Sequence, residues 1–74
     1  MDNNVYKLIG ANLKKFRLSK GLSQEHLAEI LGVNLKYIGH VERNERFISL
    51  KRLIQLSEIL NVDIKDFFTK EDLK

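Results

Sequence analysis

The sequence predicts an all-α fold, a compact five-helix bundle, and three observations carry that expectation. First, 74 residues contain no proline and only four glycines, so little interrupts a helical backbone. Second, apolar side chains recur at the i, i+3, i+4 spacing of one helical face, not at the alternation of a half-buried strand. Third, serine, asparagine or aspartate precedes each of the later apolar runs and glycine follows the first two, as helix caps and left-handed stops require.

The first helix is expected from Asn4 to Ser19, where Ile9, Leu13 and Phe16 share a face, with Gly21 as its stop and Leu22 dropping into the core. Ser23 is the natural N-cap of the second helix, whose Leu27, Ala28 and Leu31 lie on one side. His26 stands where a capping box wants Glu or Gln, so that box is incomplete. Gly32 ends the helix, Val33 is apolar, and Asn34 is expected to cap a third helix across a short turn that forces a sharp crossing. Ser49 is expected to cap a fourth helix with a broad apolar stripe of Leu50, Leu53, Ile54, Leu56, Ser57 and Leu60. Asp63 then opens a last short helix carrying Ile64, Phe67 and Phe68, and the tail 69–74 is expected to fray. Residues 1–74 make a single domain, because there is no length for a second core.

Composition excludes several function classes. Cysteine is absent, and the two histidines, His26 and His40, have no carboxylate cluster beside them, so neither metal nor cofactor is expected. Ser23, Glu25 and His26 share one helical turn, which is a capping arrangement; a nucleophile, its base and an orienting group have to converge in a pocket. No enzymatic activity is expected. Nothing approaches the ~18 apolar residues of a membrane span, so the chain is expected in the cytoplasm. A chain this short, without disulfide or metal, is expected to gain stability by self-association. Net charge is +3, but residues 1–52 hold ten Lys/Arg against five Asp/Glu, whereas residues 53–74 hold three against five. That division, +5 then −2, points to a polyanion on one face and a different partner on the other.

One stretch carries most of the functional signal: NLKYIGHVERN, Asn34 to Asn44. On a helical wheel with Leu35 at zero, Gly39, Arg43, Lys36 and His40 fall near about 40, 80, 100 and 140°, and Tyr37, Val41 and Ile38 near about 200, 240 and 300°. One face thus anchors the helix in a core, while the other groups a leucine, a glycine, a histidine and two cations. That mixture suits a DNA major groove: cations answer phosphate or guanine, histidine meets a base edge, leucine touches a thymine methyl and glycine lets backbone come close. An interior glycine costs ~1 kcal/mol relative to alanine, so Gly39 is expected to keep a surface uncrowded, for DNA or for a neighbouring helix.

With its preceding segment included, LSQEHLAEILGVNLKYIGHVERN resembles the helix-turn-helix of the Cro and lambda-repressor-type (XRE) family of transcriptional regulators. Ala28, Gly32, Val33, Ile38 and Val41 stand where that motif wants a small residue, a turn glycine and apolar anchors. The likeness runs over about residues 7–68, with the helix-turn-helix itself over about 23–43. It implies that Gln24 grips a phosphate at the start of the second helix. It also implies that Asn34, Leu35, Lys36, Gly39 and His40 face the groove, and that Arg43, Asn44 and Arg46 follow the sugar-phosphate backbone. Arg17 and Glu42 match a salt bridge of several relatives, with DNA contact by Arg17 secondary. Asn44 stands where many members carry glycine, and Phe47-Ile48 where proline is frequent, so the loop between the third and fourth helices is expected to follow its own path. The ERN-x-R string and the small size look most like the controller proteins of restriction-modification systems, although many of those place arginine where Leu35 stands.

The resemblance implies a homodimer with two recognition helices, residues 34–43, about one DNA turn apart on an inverted-repeat operator. The expected partner surface lies in the less basic third, over about residues 49–69, where Ile54, Ile59, Ile64, Phe67 and Phe68 exceed what one side can bury. Two other functions fit the same fold. One is the antitoxin of a toxin pair; the other is a protein-interaction module without DNA binding, which the apolar Leu35 favours.

Overall fold

The structure, a computed structural model, describes residues 4–70. It contains α1 (Asn4–Ser19), α2 (Gln24–Leu31), α3 (Tyr37–Glu42), α4 (Leu50–Leu60) and a terminal 3₁₀ helix (Ile64–Phe68), with no strand among the described residues. None of these helices is long and apolar enough to cross a membrane. Of the tail expected to fray, residues 71–74 lie outside the described residues.

Local chemistry sets the ends of the elements. At Gly21, with φ of 71°, the Leu22 amide donates to the Arg17 carbonyl and the Gly21 amide to that of Leu18, the Schellman closure that a left-handed residue permits. Gly32 closes α2 in the same way, through Val33 to Ala28. The Ser23 hydroxyl accepts from the His26 amide and the Ser49 hydroxyl from the Arg52 amide, so both expected serine caps are made. Asn61, at φ of 57°, ends α4. The third helix departs from expectation: it begins at Tyr37, not Asn34. The Asn34 side-chain oxygen accepts from the Lys36 amide at 2.8 Å and its carbonyl from the Tyr37 amide at 2.9 Å. Asparagine here closes a turn ahead of the helix, the alternative that short polar side chains offer the backbone.

Leu13, Leu27, Ala28, Ile38, Leu56, Leu60 and Phe67 form the fully buried centre, so every helix contributes. The terminal 3₁₀ helix is clipped onto α1. The amide nitrogen of buried Asn12 donates to the carbonyls of Phe67 at 2.8 Å and Thr69 at 3.1 Å, and the Phe16 ring meets Phe67 edge-on at 5.3 Å. Phe67, expected on a dimer surface, is therefore core and has no surface to offer a second chain. Ile59 and Ile64 are half-buried against the same core. Ile54 and Phe68 stay open at 43% and 44% exposure, joined by Leu50, at 63%, which was expected inside the stripe of α4. The stripe is wider than the core: α4 buries Leu53, Leu56, Ser57 and Leu60 and leaves Leu50 and Ile54, one turn apart, on its flank.

Candidate nucleic-acid interface

The crossing of α2 and α3 is held by a buried polar network. The Arg17 guanidinium donates from Nε to Glu42 Oε2 at 2.7 Å, from Nη2 to Glu42 Oε1 at 3.1 Å, and from Nη1 to the Leu22 carbonyl at 2.7 Å. The two side chains retain 7% and 3% of their exposure. Gln24 adds a fourth bond, its Nε2 donating to Glu42 Oε1 at 3.0 Å. Three helices meet at one carboxylate, with the α1–α2 loop tied in through Arg17, and bidentate charge-assisted geometry of this kind fixes orientation as well as energy. The expected Arg17–Glu42 salt bridge is present. The secondary role expected of Arg17 has almost no surface to act through.

Above this network lies the outward surface. Gln24, Leu35, Lys36, Gly39, His40 and Arg43, together with Glu25, line one shallow depression of about 380 Å³. The structure thus brings together six of the ten residues expected at DNA. Leu35 and Lys36 sit in the turn before α3, yet the Lys36 carbonyl accepts from the His40 amide, so they extend the face of the helix. Asn34 and Arg46 line an adjoining depression with Lys36, Tyr37 and His40. Arg46 lies over the Tyr37 ring, 5.2 Å from its centroid, a cation–π placement that holds the long side chain at this edge. Burial pushes the Tyr37 hydroxyl above its ordinary pKa, against the opposing pull of Arg46 and Arg52, so it stays a protonated donor at neutral pH.

Two expected residues play other parts. Gly39 is buried, and a β-carbon there would stand 3.0 Å from both Gln24 Oε1 and Arg43 Nη1. The space it leaves is filled by those two side chains, so the glycine serves packing over the α2–α3 crossing before any approach of DNA to its backbone. Asn44 joins neither depression. It adopts φ of 62°, a left-handed geometry that asparagine tolerates, and its side-chain oxygen is buried with no hydrogen-bond partner in the described residues. In the loop beyond, Ile48 enters the core and Phe47 stacks on Tyr6 of α1 at 4.2 Å.

Sequence reasoning missed Gly10, Asn12 and Glu45. Gly10 sits inside α1, where the propensity argument applied to Gly39 would have found it. Asn12 interrupts an apolar face, a signal in itself. Glu45 accepts from His40 Nδ1 at 2.9 Å and from Arg43 Nε at 3.2 Å, and these two bonds hold its carboxyl below the usual carboxylate range. Among the described residues, no group of three potential ligands converges as a metal site would need.

Two short helices joined by a turn and presenting cations and an apolar side chain on one face define a class, and the helix-turn-helix family description matches residues 13–67. The chain belongs to that family, one of transcriptional regulators and not of enzymes. Within it, the chain is similar to the control protein C.SmaI of Serratia marcescens, 39% identical over 96% of this chain and 84% of the other. The control protein C.BamHI of Bacillus amyloliquefaciens is likewise 39% identical, over 89% of this chain and 83% of its own length. Among solved structures, the restriction-modification controller protein C.AhdI from Aeromonas hydrophila superposes with a TM-score of 0.79 at 36% identity, covering 85% of this chain and 96% of that one.

Proposed function

We propose that this chain is a cytoplasmic, sequence-specific DNA-binding regulator of transcription that works as a homodimer on an inverted-repeat operator, in the manner of a restriction-modification controller. The observation that carries this reading is the single surface over the α2–α3 crossing, where Gln24, Leu35, Lys36, His40 and Arg43 converge. In the proposed complex the turn and α3 enter the major groove. Lys36 and Arg43 supply charge to guanine edges or phosphate, His40 meets a base edge, and Leu35 reads by apolar contact with a thymine methyl. Asn34 and Arg46 flank the groove. Gln24 is bonded to Glu42 through Nε2, which leaves its oxygen turned toward Gly39 and Arg43.

Selection of bound sequences from a random DNA pool tests the reading directly. A symmetric consensus is expected, and failure to enrich any sequence would refute it. On that consensus, Lys36→Ala is expected to weaken binding by ~1–3 kcal/mol if it holds a base, and by less, without regard to sequence, if it meets phosphate. Affinity is expected to fall steeply with salt, as counterion release from ~6–10 phosphates per dimer requires.

The dimer surface we assign is the apolar flank left open by the fold. Leu50, Ile54 and Phe68 are exposed there, with Val5 of α1 beside a groove that Leu50 and Phe68 also line. Exposed apolar side chains gathered on one face mark an interaction surface. Ile54→Glu is expected to give a folded monomer in sedimentation with reduced operator affinity, and a variant that stayed dimeric would place the interface elsewhere.

A further inference from the structure

Glu45 lies among the cations of the proposed reading face, and the backbone puts it there. With Asn44 left-handed, the Glu45 amide folds back to donate to the His40 carbonyl at 2.8 Å, and the Asn44 amide donates to that of Val41. This Schellman closure returns the chain over the last turn of α3. The carboxylate then spans His40 Nδ1 and Arg43 Nε, one oxygen to each. All three side chains are about half exposed, so the cluster lies at the surface where DNA would arrive.

Two consequences follow from the chemistry of that placement. A carboxylate that takes Arg43 through Nε orders a side chain otherwise free to sample many rotamers, and it leaves the terminal nitrogens, of which Nη1 lies over Gly39 beside Gln24 Oε1, uncommitted to the carboxylate and able to donate to guanine. Its charge also opposes every phosphate that Arg43 and His40 would attract, whatever the sequence. Polar readout is retained while sequence-independent attraction is reduced, which is how a repulsive element sharpens discrimination. Resting on the DNA-binding reading above, we propose that Glu45 is a specificity-determining positioning residue, which presents Arg43 and His40 to base edges and weakens binding to DNA of arbitrary sequence.

The test compares the full chain with Glu45→Gln and Glu45→Ala on two duplexes of equal length, the sequence enriched by the parent and a random sequence. Glutamine keeps an acceptor of the same shape and removes the charge. Near 0.15 M salt, one additional counterion released per protomer corresponds to about fivefold in affinity. Glu45→Gln is therefore expected to bind the random duplex about fivefold more tightly per protomer engaged, with a salt slope steeper by about one per protomer. Its affinity for the enriched duplex is expected to change less, so the ratio of the two falls. Glu45→Ala is expected to lose affinity for the enriched duplex relative to Glu45→Gln, because the positioning bonds are gone. Equal thermal unfolding of the three proteins shows that the effect is not one of folding. An unchanged ratio and salt slope in both variants, with the parent discriminating, overturns the role of Glu45 alone. A parent that does not discriminate overturns the operator reading as well.

Discussion

Glu42→Ala is expected to destabilise the protein by about 3–5 kcal/mol, because it strands a buried charge. The Glu42 carboxylate accepts two bonds from Arg17 and one from Gln24, and both members of the ion pair are nearly inaccessible to water. Without it the Arg17 guanidinium keeps only the Leu22 carbonyl, in a site nearly closed to solvent. A loss of that size is a large share of the ~5–15 kcal/mol available to a typical domain, so chemical denaturation is expected to show a much lower midpoint or an unfolded chain. Replacing both partners with apolar residues of similar volume is expected to recover most of the stability, since the cost lies mainly in the unpaired charge. Operator binding should not recover equally, because Gln24 loses the bond that lays it over Gly39. A double variant restored in stability and in operator affinity would show that the network does not position the reading face.

The parts of this molecule legible in its sequence are those decided within one turn of backbone. The serine caps at Ser23 and Ser49 and the glycine stops at Gly21 and Gly32 depend on bonds spanning a few residues, and they lie where the residue types predict. The start of α3 was misread for an equally local reason. Asparagine bonds as readily to the amide two residues on as to that of a first helical turn, and Asn34 takes the shorter route to Lys36. Phe67 was misplaced because its environment is decided 55 residues away, where Asn12 donates to its carbonyl; an aromatic residue in a terminal helix reads the same whether it closes its own core or a partner's. Among the proposed DNA contacts, the convergence of Gln24 on α2 with His40 on α3 and Arg43 just after it was accessible only through the family resemblance. Periodicity describes each helix singly and says nothing of their crossing. Glu45 was missed because its position follows from a left-handed Asn44, which no wheel represents.

Gly10→Ala is expected to reduce operator affinity by more than it reduces stability, and the reason is the identity of the atoms it meets. A β-carbon on Gly10 would stand 2.7 Å from the Val41 carbonyl oxygen and 3.1 Å from that of Glu42. Both belong to the backbone of the last turn of α3, so relief requires moving the helix that carries His40 and precedes Arg43 and Glu45. Alanine gains ~1 kcal/mol of helix propensity over glycine, and overpacking of this kind typically costs ~1–3 kcal/mol, so the net loss in unfolding free energy is expected to be small to moderate. The displaced helix is felt in recognition, where hydrogen bonds to base edges weaken steeply once donor and acceptor leave their preferred distance and angle. Gly39→Ala provides the control within the same protein. Its added methyl meets only the ends of the Gln24 and Arg43 side chains, which rotate aside at little cost to the fold. Unfolding midpoints and operator affinities for the two variants, measured at a temperature where both are folded, separate the cases. Stability in Gly39→Ala equal to or above that of the parent, and below it in Gly10→Ala, is the expected order. The reverse order would mean that α1 and α3 part without strain and that the close approach at Gly10 does not set the position of the reading helix.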